Sequence, residues 1–273
     1  MLQLWHVGRI SHSSHQPDNG PPVAPSAVRP AGGTFSATWA EVAYETPRAL
    51  ALHEIPAVVA DFRRGAENAK VAGFDGVEVH AANGYLLDQF LQDRTNRRVD
   101  AYGGSFANRT RLLLEVIEAV GEVWSPARVG VRLSPFGRFN DIGDSDPIGL
   151  FRHVVAALNT RGLGYLHLIE PRATNAMTMD ALEAAPGSAE LFREAFRGGL
   201  ISAGGYTPDE AERAVAAGVA DAIAFGRAFI ANPDLAARVI GGAPLNPAQR
   251  ATFYGGGAEG YTDYPTLEGE IAS

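Results

Sequence analysis

Three polar side chains at the end of one apolar segment have the types and spacing for chemistry on a carbonyl-like group. His80, Asn83 and Tyr85 follow the β-branched residues Val77 and Val79, in a pattern typical of a short buried strand that ends in a turn. A neutral imidazole N–H and an amide NH₂ can both donate to one oxygen and stabilise negative charge that develops on it. A phenol with an ordinary pKa of about 10 stays protonated at neutral pH and can deliver a proton. Taken alone, the spacing also fits a core histidine beside a turn asparagine.

The elements that must position these side chains follow the pattern of an α/β domain, in which apolar strands alternate with amphipathic helices. Loops at the carboxyl ends of the strands carry the chemistry of such domains, so the imidazole, amide and phenol are expected to face one cleft. Strands are predicted at 2–7, 76–80, 129–133, 164–168, 200–203 and 222–225. Helices are predicted at 47–73, 105–123, 147–161 and 208–218, and a long loop rich in Pro, Gly and Ser is predicted at 11–36.

Length and composition restrict the class of protein. With 273 residues, of which 46% are hydrophobic, the chain is long enough for one large domain, which we expect to span 1–273. The net charge of −8 argues against nucleic acid or an anionic membrane as a partner. The chain has no cysteine, which excludes disulfides, thiolate metal sites and a cysteine nucleophile, and no metal site is predicted. It shows no signal-like segment and no apolar run long enough to span a bilayer, so a cytoplasmic location is expected.

The segment around the three polar residues closely resembles the Old Yellow Enzyme family. The resemblance is carried by Phe74–Tyr85, Leu86–Leu91, Asp93–Arg98, Asp100–Ser105 and Asn108–Arg109. That family consists of FMN-dependent ene-reductases on a TIM (β/α)₈ barrel, which use NADPH or NADH as the reductant. The resemblance therefore implies an NAD(P)H-dependent flavin oxidoreductase that reduces activated C=C bonds in α,β-unsaturated carbonyl or nitro compounds.

The resemblance also assigns roles to individual residues. In the family the histidine and asparagine bind the activating oxygen of the substrate and the tyrosine donates the proton, which implies these catalytic roles for His80, Asn83 and Tyr85. Gln3 would hydrogen-bond the pyrimidine edge of the flavin, and Trp5 would line the substrate side. Alternatively, Gln3 is only a strand-end polar group and Trp5 a core indole.

An arginine on a buried strand needs a partner, and the sequence leaves two open for Arg132. The arginine of the resembled family faces flavin N1 and O2, where it stabilises the negative charge of the reduced ring. The alternative is an internal salt bridge to Glu78 or Glu170, and the two interpretations are compatible.

Two consecutive strand-to-glycine turns near the end of the chain indicate a phosphate site. Backbone N–H groups and a helix N-terminus at such turns point at a bound anion, and an arginine can add a bidentate contact. In the resembled family these loops hold the FMN phosphate. The residues concerned here are Ala203, Gly204, Gly205, Gly226 and Arg227.

Near the C-terminus, a Tyr-Gly-Gly segment resembles one whose tyrosine reaches the substrate pocket of the family. We expect the same role for Tyr254.

The chain departs from the family at its beginning. Six strands are readable where a TIM barrel has eight, and the family's first two βα units have no counterpart, so an N-terminally truncated barrel with about six of eight βα units is expected. Open edges beside parallel strands would expose unpaired backbone groups and apolar surface. We therefore expect this chain to fold poorly alone, to associate with itself through the barrel edges, or to be completed by a missing fragment.

Two other readings of function stay open. One is an inactive or weakly flavin-binding remnant of the same family. The other is a related TIM-barrel flavoprotein that cleaves or demethylates, but those commonly carry a cysteine-rich iron–sulfur segment and this chain has no cysteine.

Overall fold

The structure is a computed structural model, and it describes residues 1–172, 186–253 and 257–267. In chain order its strands are β1 (Leu2–Leu4), β2 (Val23–Ala24), β3 (Gly33–Phe35), β4 (Glu41–Ala43), β5 (Arg48–Ala49), β6 (Val77–Ala81), β7 (Val129–Leu133), β8 (Tyr165–Ile169), β9 (Gly199–Ala203) and β10 (Ala222–Ala224). Its α-helices are α1 (Ile55–Val71), α2 (Leu86–Leu91), α3 (Phe106–Trp124), α4 (Pro147–Asn159), α5 (Ser188–Phe192), α6 (Pro208–Ala216), α7 (Arg227–Ala231) and α8 (Leu235–Gly241).

A six-stranded parallel sheet in the order β1-β6-β7-β8-β9-β10 forms the centre of the fold. Each strand of this sheet pairs with the strand that follows it within the same sheet, which is the arrangement of a βα barrel. The six strands predicted from the sequence are confirmed, with ends that differ by at most three residues. In the described part of the chain, β1 and β10 each have a strand neighbour on one side only.

The two faces of the sheet differ in character because successive strand residues point in opposite directions. On β6, Val77, Val79 and Ala81 are fully buried within the hydrophobic core that the sheet shares with α1 and α3. The alternate residues, Glu78 and His80, therefore lie on the other face. This alternation supplies the barrel interior with polar side chains.

The predicted start of the first helix was wrong. Residues 47–54 are not α-helical, because Arg48–Ala49 forms β5 and pairs with β2. The helix α1 begins at Ile55, and the Glu54 carboxylate accepts a hydrogen bond from the Ala51 amide at 2.7 Å just before it. The loop predicted at 11–36 contains β2 and β3, and β3 forms an antiparallel hairpin with β4.

Helix caps explain where two other helices begin. The Ser105 hydroxyl accepts from the Asn108 amide at 3.3 Å at the start of α3. Thr207 and Glu210 form a capping box at the start of α6, with distances of 2.9 and 3.3 Å. Both starts agree with the sequence prediction. No helix in the described part of the chain has the length and apolar character needed to cross a bilayer.

Candidate active site

An aromatic cluster at the carboxyl ends of β1 and β6 contains three of the predicted site residues. The rings of Trp5 and Tyr85 meet edge to face with centroids 4.7 Å apart. The imidazole of His80 lies 5.9 Å from the Trp5 ring and 5.4 Å from the Tyr85 ring. Trp5 is 53% exposed whereas His80 is only 3% exposed, so the cluster leads from solvent to a buried imidazole. Trp5 is therefore not the core indole that the sequence left open.

Asn83 lies in the turn between β6 and α2, whose backbone is held from several directions. Its φ of +58° is in the left-handed region, which asparagine tolerates better than most residues. Its amide donates to the Ser134 hydroxyl at 2.7 Å, and its carbonyl accepts from the Asn140 side chain at 2.8 Å. The next amide, of Gly84, donates to Asp88 at 2.9 Å. These contacts hold the backbone of the turn that carries Asn83, between His80 at the end of β6 and Tyr85 directly before α2.

His80 is electrically neutral at ordinary pH. Burial and, to a smaller extent, the positive charge of Arg132 lower its pKa to about 4, although the charge of Glu78 opposes the change. Its buried Nδ1 has no hydrogen-bond partner among the residues that the structure describes. A neutral imidazole with an unused ring nitrogen has hydrogen-bonding capacity left for a ligand.

The Glu78 carboxylate accepts hydrogen bonds from side chains on both sides of β6. Gln3 Nε2 donates to one carboxylate oxygen at 2.6 Å, and His167 Nδ1 lies 3.0 Å from the other. Burial alone would raise the pKa of Glu78, but the hydrogen bond and charge of His167, the hydrogen bond of Gln3 and the charge of Arg132 outweigh it and lower the pKa to about 2. Glu78 is therefore an anion within the sheet interior.

Arg132 does not form the internal salt bridge that the sequence left open. Within the described residues, no ion pair of 4.0 Å or less joins its guanidinium to Glu78 or Glu170. Glu170 instead accepts from the amides of Ser188 and Ala189 at 2.7 and 3.0 Å. The buried Nε of Arg132 has no partner in this part of the chain, and burial lowers the pKa of the guanidinium. Arg132 is thus a half-buried cation whose buried Nε is left for a ligand.

A cavity of about 370 Å³ joins Arg132 to both glycine turns. Gly204 and Gly205 have φ values of +138° and +67°, which side-chain-bearing residues rarely adopt. Helix α7 begins directly after Gly226, and the first amides of a helix have no acceptor within it. The cavity lining comprises Arg132, Ile169, Ala203, Gly204, Gly205, Tyr206, Ala224, Phe225, Gly226, Arg227 and Ala228.

These features fit FMN. A half-buried guanidinium whose buried Nε has no partner in the described residues suits the electron-rich edge of the flavin ring, and glycine turns beside an arginine suit its phosphate. Arg132 also pairs in register with His80 across β6 and β7. The cavity and the aromatic cluster therefore meet at neighbouring strand ends.

Two interior residues received no functional role from the sequence. His167 pairs in register with Arg132 and contacts Glu78, and Tyr165 lies two residues before it on β8. Burial raises the pKa of Tyr165, and the negative charge of Glu78 and a hydrogen bond to its carboxylate raise it further. The sequence offered one signal for these residues. Alternate residues of a strand lie on the same face, so Tyr165 and His167 share a face of β8, and the register places it beside the face of β7 that carries Arg132.

Some features lie outside this site. Tyr254, predicted to reach the substrate pocket, lies outside the described residues. A larger cavity of about 520 Å³ between the loops after β6 and β7 contains none of the predicted site residues. The described part of the chain contains no group of three or more His, Cys, Asp or Glu side chains arranged to hold a metal ion.

Comparison with known proteins identifies the class to which this fold and site belong. The model of the NADH:flavin oxidoreductase / NADH oxidase family matches residues 1–246, and the chain belongs to this family. It is 46% identical over 268 residues to 12-oxophytodienoate reductase 2 from Arabidopsis thaliana, covering 97% of this chain and 71% of that protein.

Solved structures give the same result. Morphinone reductase in complex with tetrahydroNAD is 48% identical, with a TM-score of 0.89 over 97% of this chain and 72% of that one. The Old Yellow Enzyme homologue from Zymomonas mobilis is 40% identical, with a TM-score of 0.91 over 97% of this chain and 73% of that one. The expected Old Yellow Enzyme resemblance, TIM-barrel fold, FMN cofactor, nicotinamide reductant and ene-reductase class are confirmed.

Proposed function

We propose that this chain reduces the activated C=C bond of small α,β-unsaturated carbonyl or nitro compounds through His80, Asn83 and Tyr85. The observation that carries the proposal is the position of Arg132. It lines the cavity formed by both glycine turns and pairs in register with His80, so one residue connects the cofactor cavity to the aromatic cluster.

The residues proposed to hold FMN are Gln3, Arg132 and the two glycine turns. Gln3 and Arg132 would contact the ring, and the backbone of Ala203–Gly205 and Gly226–Arg227 would hold the phosphate. Bound there, FMN would supply the hydride chemistry that connects NADPH or NADH to the activated double bond.

His80 and Asn83 are proposed to hold the activating oxygen of the substrate. Since its pKa is lowered to about 4, His80 remains neutral and donates an N–H without adding a full charge to the site. The amide of Asn83 offers a second donor from the adjoining turn. Two donors on one oxygen withdraw electrons from the conjugated double bond and stabilise the negative charge that develops during reduction.

Tyr85 is proposed to protonate the α-carbon. Its ring packs against Trp5 and His80, which restricts the phenol to the same side of the site as the two donors. A phenol is a proton donor of suitable strength for a carbanion-like carbon at neutral pH. Trp5 lines the exposed side of the cluster and gives the substrate an aromatic wall.

The test follows NADPH and NADH oxidation with cyclohexenone under anaerobic conditions, using the FMN-loaded chain. Tyr85→Phe keeps the ring contacts and removes the acid, so we expect turnover to fall about 100-fold. Tyr261→Phe is the matched control, because Tyr261 is 54% exposed and lies far along the chain from the cluster. Equal turnover of wild type and Tyr85→Phe would remove Tyr85 from the scheme. A wild type that remains colourless with added FMN would instead support the inactive remnant.

We also propose that the open edges of the sheet mediate self-association. In the described residues β1 and β10 each lack a strand neighbour on one side. Met1, directly before β1, is an apolar side chain that is 52% exposed. Light scattering coupled to size exclusion should detect dimers or larger species, whereas a monomer with one FMN per chain would contradict this part of the proposal.

A further inference from the structure

The carboxylate of Glu78 is held in the barrel interior by hydrogen bonds from two other strands. Glu78 lies on β6 and is 8% exposed. Its carboxylate accepts hydrogen bonds from Gln3 on β1 and from His167 on β8. We propose that Glu78 is a positioning residue that turns the amide of Gln3, so that the Gln3 carbonyl oxygen faces the flavin and selects a ring N–H donor. This inference rests on the proposed flavin site.

The chemistry of the two side chains fixes the orientation of the amide. An ionised carboxylate accepts hydrogen bonds and cannot donate them, whereas a primary amide has a donor end and an acceptor end. At 2.6 Å from Glu78, Gln3 must therefore present its NH₂ to the carboxylate. Its carbonyl oxygen is the end left for another partner. The N3–H of the flavin pyrimidine ring is a donor of the kind that this oxygen accepts.

The surroundings of Glu78 maintain this arrangement. His167 donates to its second oxygen at 3.0 Å, and Tyr165 adds a further hydrogen bond from the same strand. The donors lower the pKa of Glu78 to about 2, so the carboxylate stays ionised across the working pH range. Gln3, His167 and Tyr165 supply the hydrogen bonds to Glu78, and Arg132 acts on it only through its charge, so that the Arg132 Nε has no partner in the described part of the chain.

Replacing the carboxylate by an amide removes the constraint on orientation. In a Glu78→Gln variant the new side chain can either accept from the Gln3 NH₂ or donate to the Gln3 oxygen. Gln3 can then turn either end toward the flavin. The site should lose its preference for a ring donor while keeping the shape of the side chain.

The experiment compares the dissociation constants of FMN and N3-methyl-FMN, measured by quenching of flavin fluorescence. The methyl group removes the N–H, so wild type should bind the analogue at least about tenfold more weakly than FMN. Glu78→Gln should reduce this ratio to about threefold or less, mainly by weakening FMN. Glu78→Asp keeps the charge but is one methylene too short for the 2.6 Å contact, and it should reduce the ratio as well. Glu118→Gln, on the 66% exposed Glu118 of α3, makes the same chemical change on the surface and should keep the wild-type ratio.

The outcomes separate the inference from the proposed function. FMN binding by wild type with no discrimination against the analogue overturns the inference and leaves the proposed function standing. A wild-type ratio in either Glu78 variant that folds, as judged by circular dichroism, also overturns it. Failure of wild type to bind FMN at all overturns both. A tenfold ratio in wild type that disappears in a Glu78 variant and persists in Glu118→Gln supports the inference.

Discussion

The neutral state of His80 leads to a prediction about stability in acid. Burial lowers the pKa of His80 from 6.5 to about 4. As the pH falls through 6.5 the unfolded chain takes up a proton at this residue, whereas the folded chain does so only near pH 4. Between these two values protonation favours the unfolded state. The free energy of unfolding therefore decreases as the pH falls through this window.

The magnitude follows from the size of the shift. Between about pH 7 and pH 4.5 roughly 1.7 units of the shift take effect, which corresponds to about 2 kcal/mol at about 1.4 kcal/mol per unit. His80 is 3% exposed, so its environment is not that of a solvated surface group. A His80→Gln variant lacks the titrating group and should lose about 2 kcal/mol less than wild type over the same range. Urea unfolding at both pH values, followed by circular dichroism, measures the two differences.

A matched variant separates this effect from general acid sensitivity. His53 is exposed on the turn before α1, so His53→Gln should retain the full pH dependence of wild type. If wild type and His80→Gln lose the same free energy between the two pH values, then His80 is not held neutral by burial. The reasoning that makes it an uncharged donor in the site would be refuted by that result.

Two of three further predictions concern the cofactor cavity, and the third concerns the buried ion pair of Arg109 and Asp144. Gly205→Ala should destabilise the fold by about 1 kcal/mol, since φ is +67° at this residue, and should weaken FMN binding in a fluorescence titration. Arg132→Met removes the half-buried cation from the cavity and should raise the FMN dissociation constant about tenfold in the same titration. Asp144→Asn leaves the buried guanidinium of Arg109 without its ion-pair partner, and the free energy of unfolding in urea should fall by about 3 kcal/mol. Unchanged values in any of these measurements would count against the corresponding contact.

The central strands and the polar turn could be predicted from the sequence because their signals are local. Apolar β-branched residues, glycine turns and capping residues such as Ser105 and Thr207 act within a few residues of themselves. The start of α1 could not be predicted in this way. Residues 48 and 49 pair with 23 and 24, a contact between distant segments that removes them from the helix.

The site was predictable where one loop carries it, and less so where several strands meet. His80, Asn83 and Tyr85 lie within six residues, so their proximity follows from the sequence. The hydrogen bonds of Glu78 to Gln3 and His167 depend on the register of three different strands, which apolar patterns do not specify. For the same reason the sequence could not decide whether Arg132 forms an internal ion pair.

The most direct test of the account is a titration of the chain with FMN, followed by anaerobic reduction and reoxidation observed through the flavin absorbance. We predict one bound flavin per chain, bleached by NADPH or NADH and restored to its oxidised spectrum by cyclohexenone. A chain that binds no flavin, or a bleached flavin that the enone does not reoxidise, would contradict the claim that donors, acid and cofactor cavity form one site.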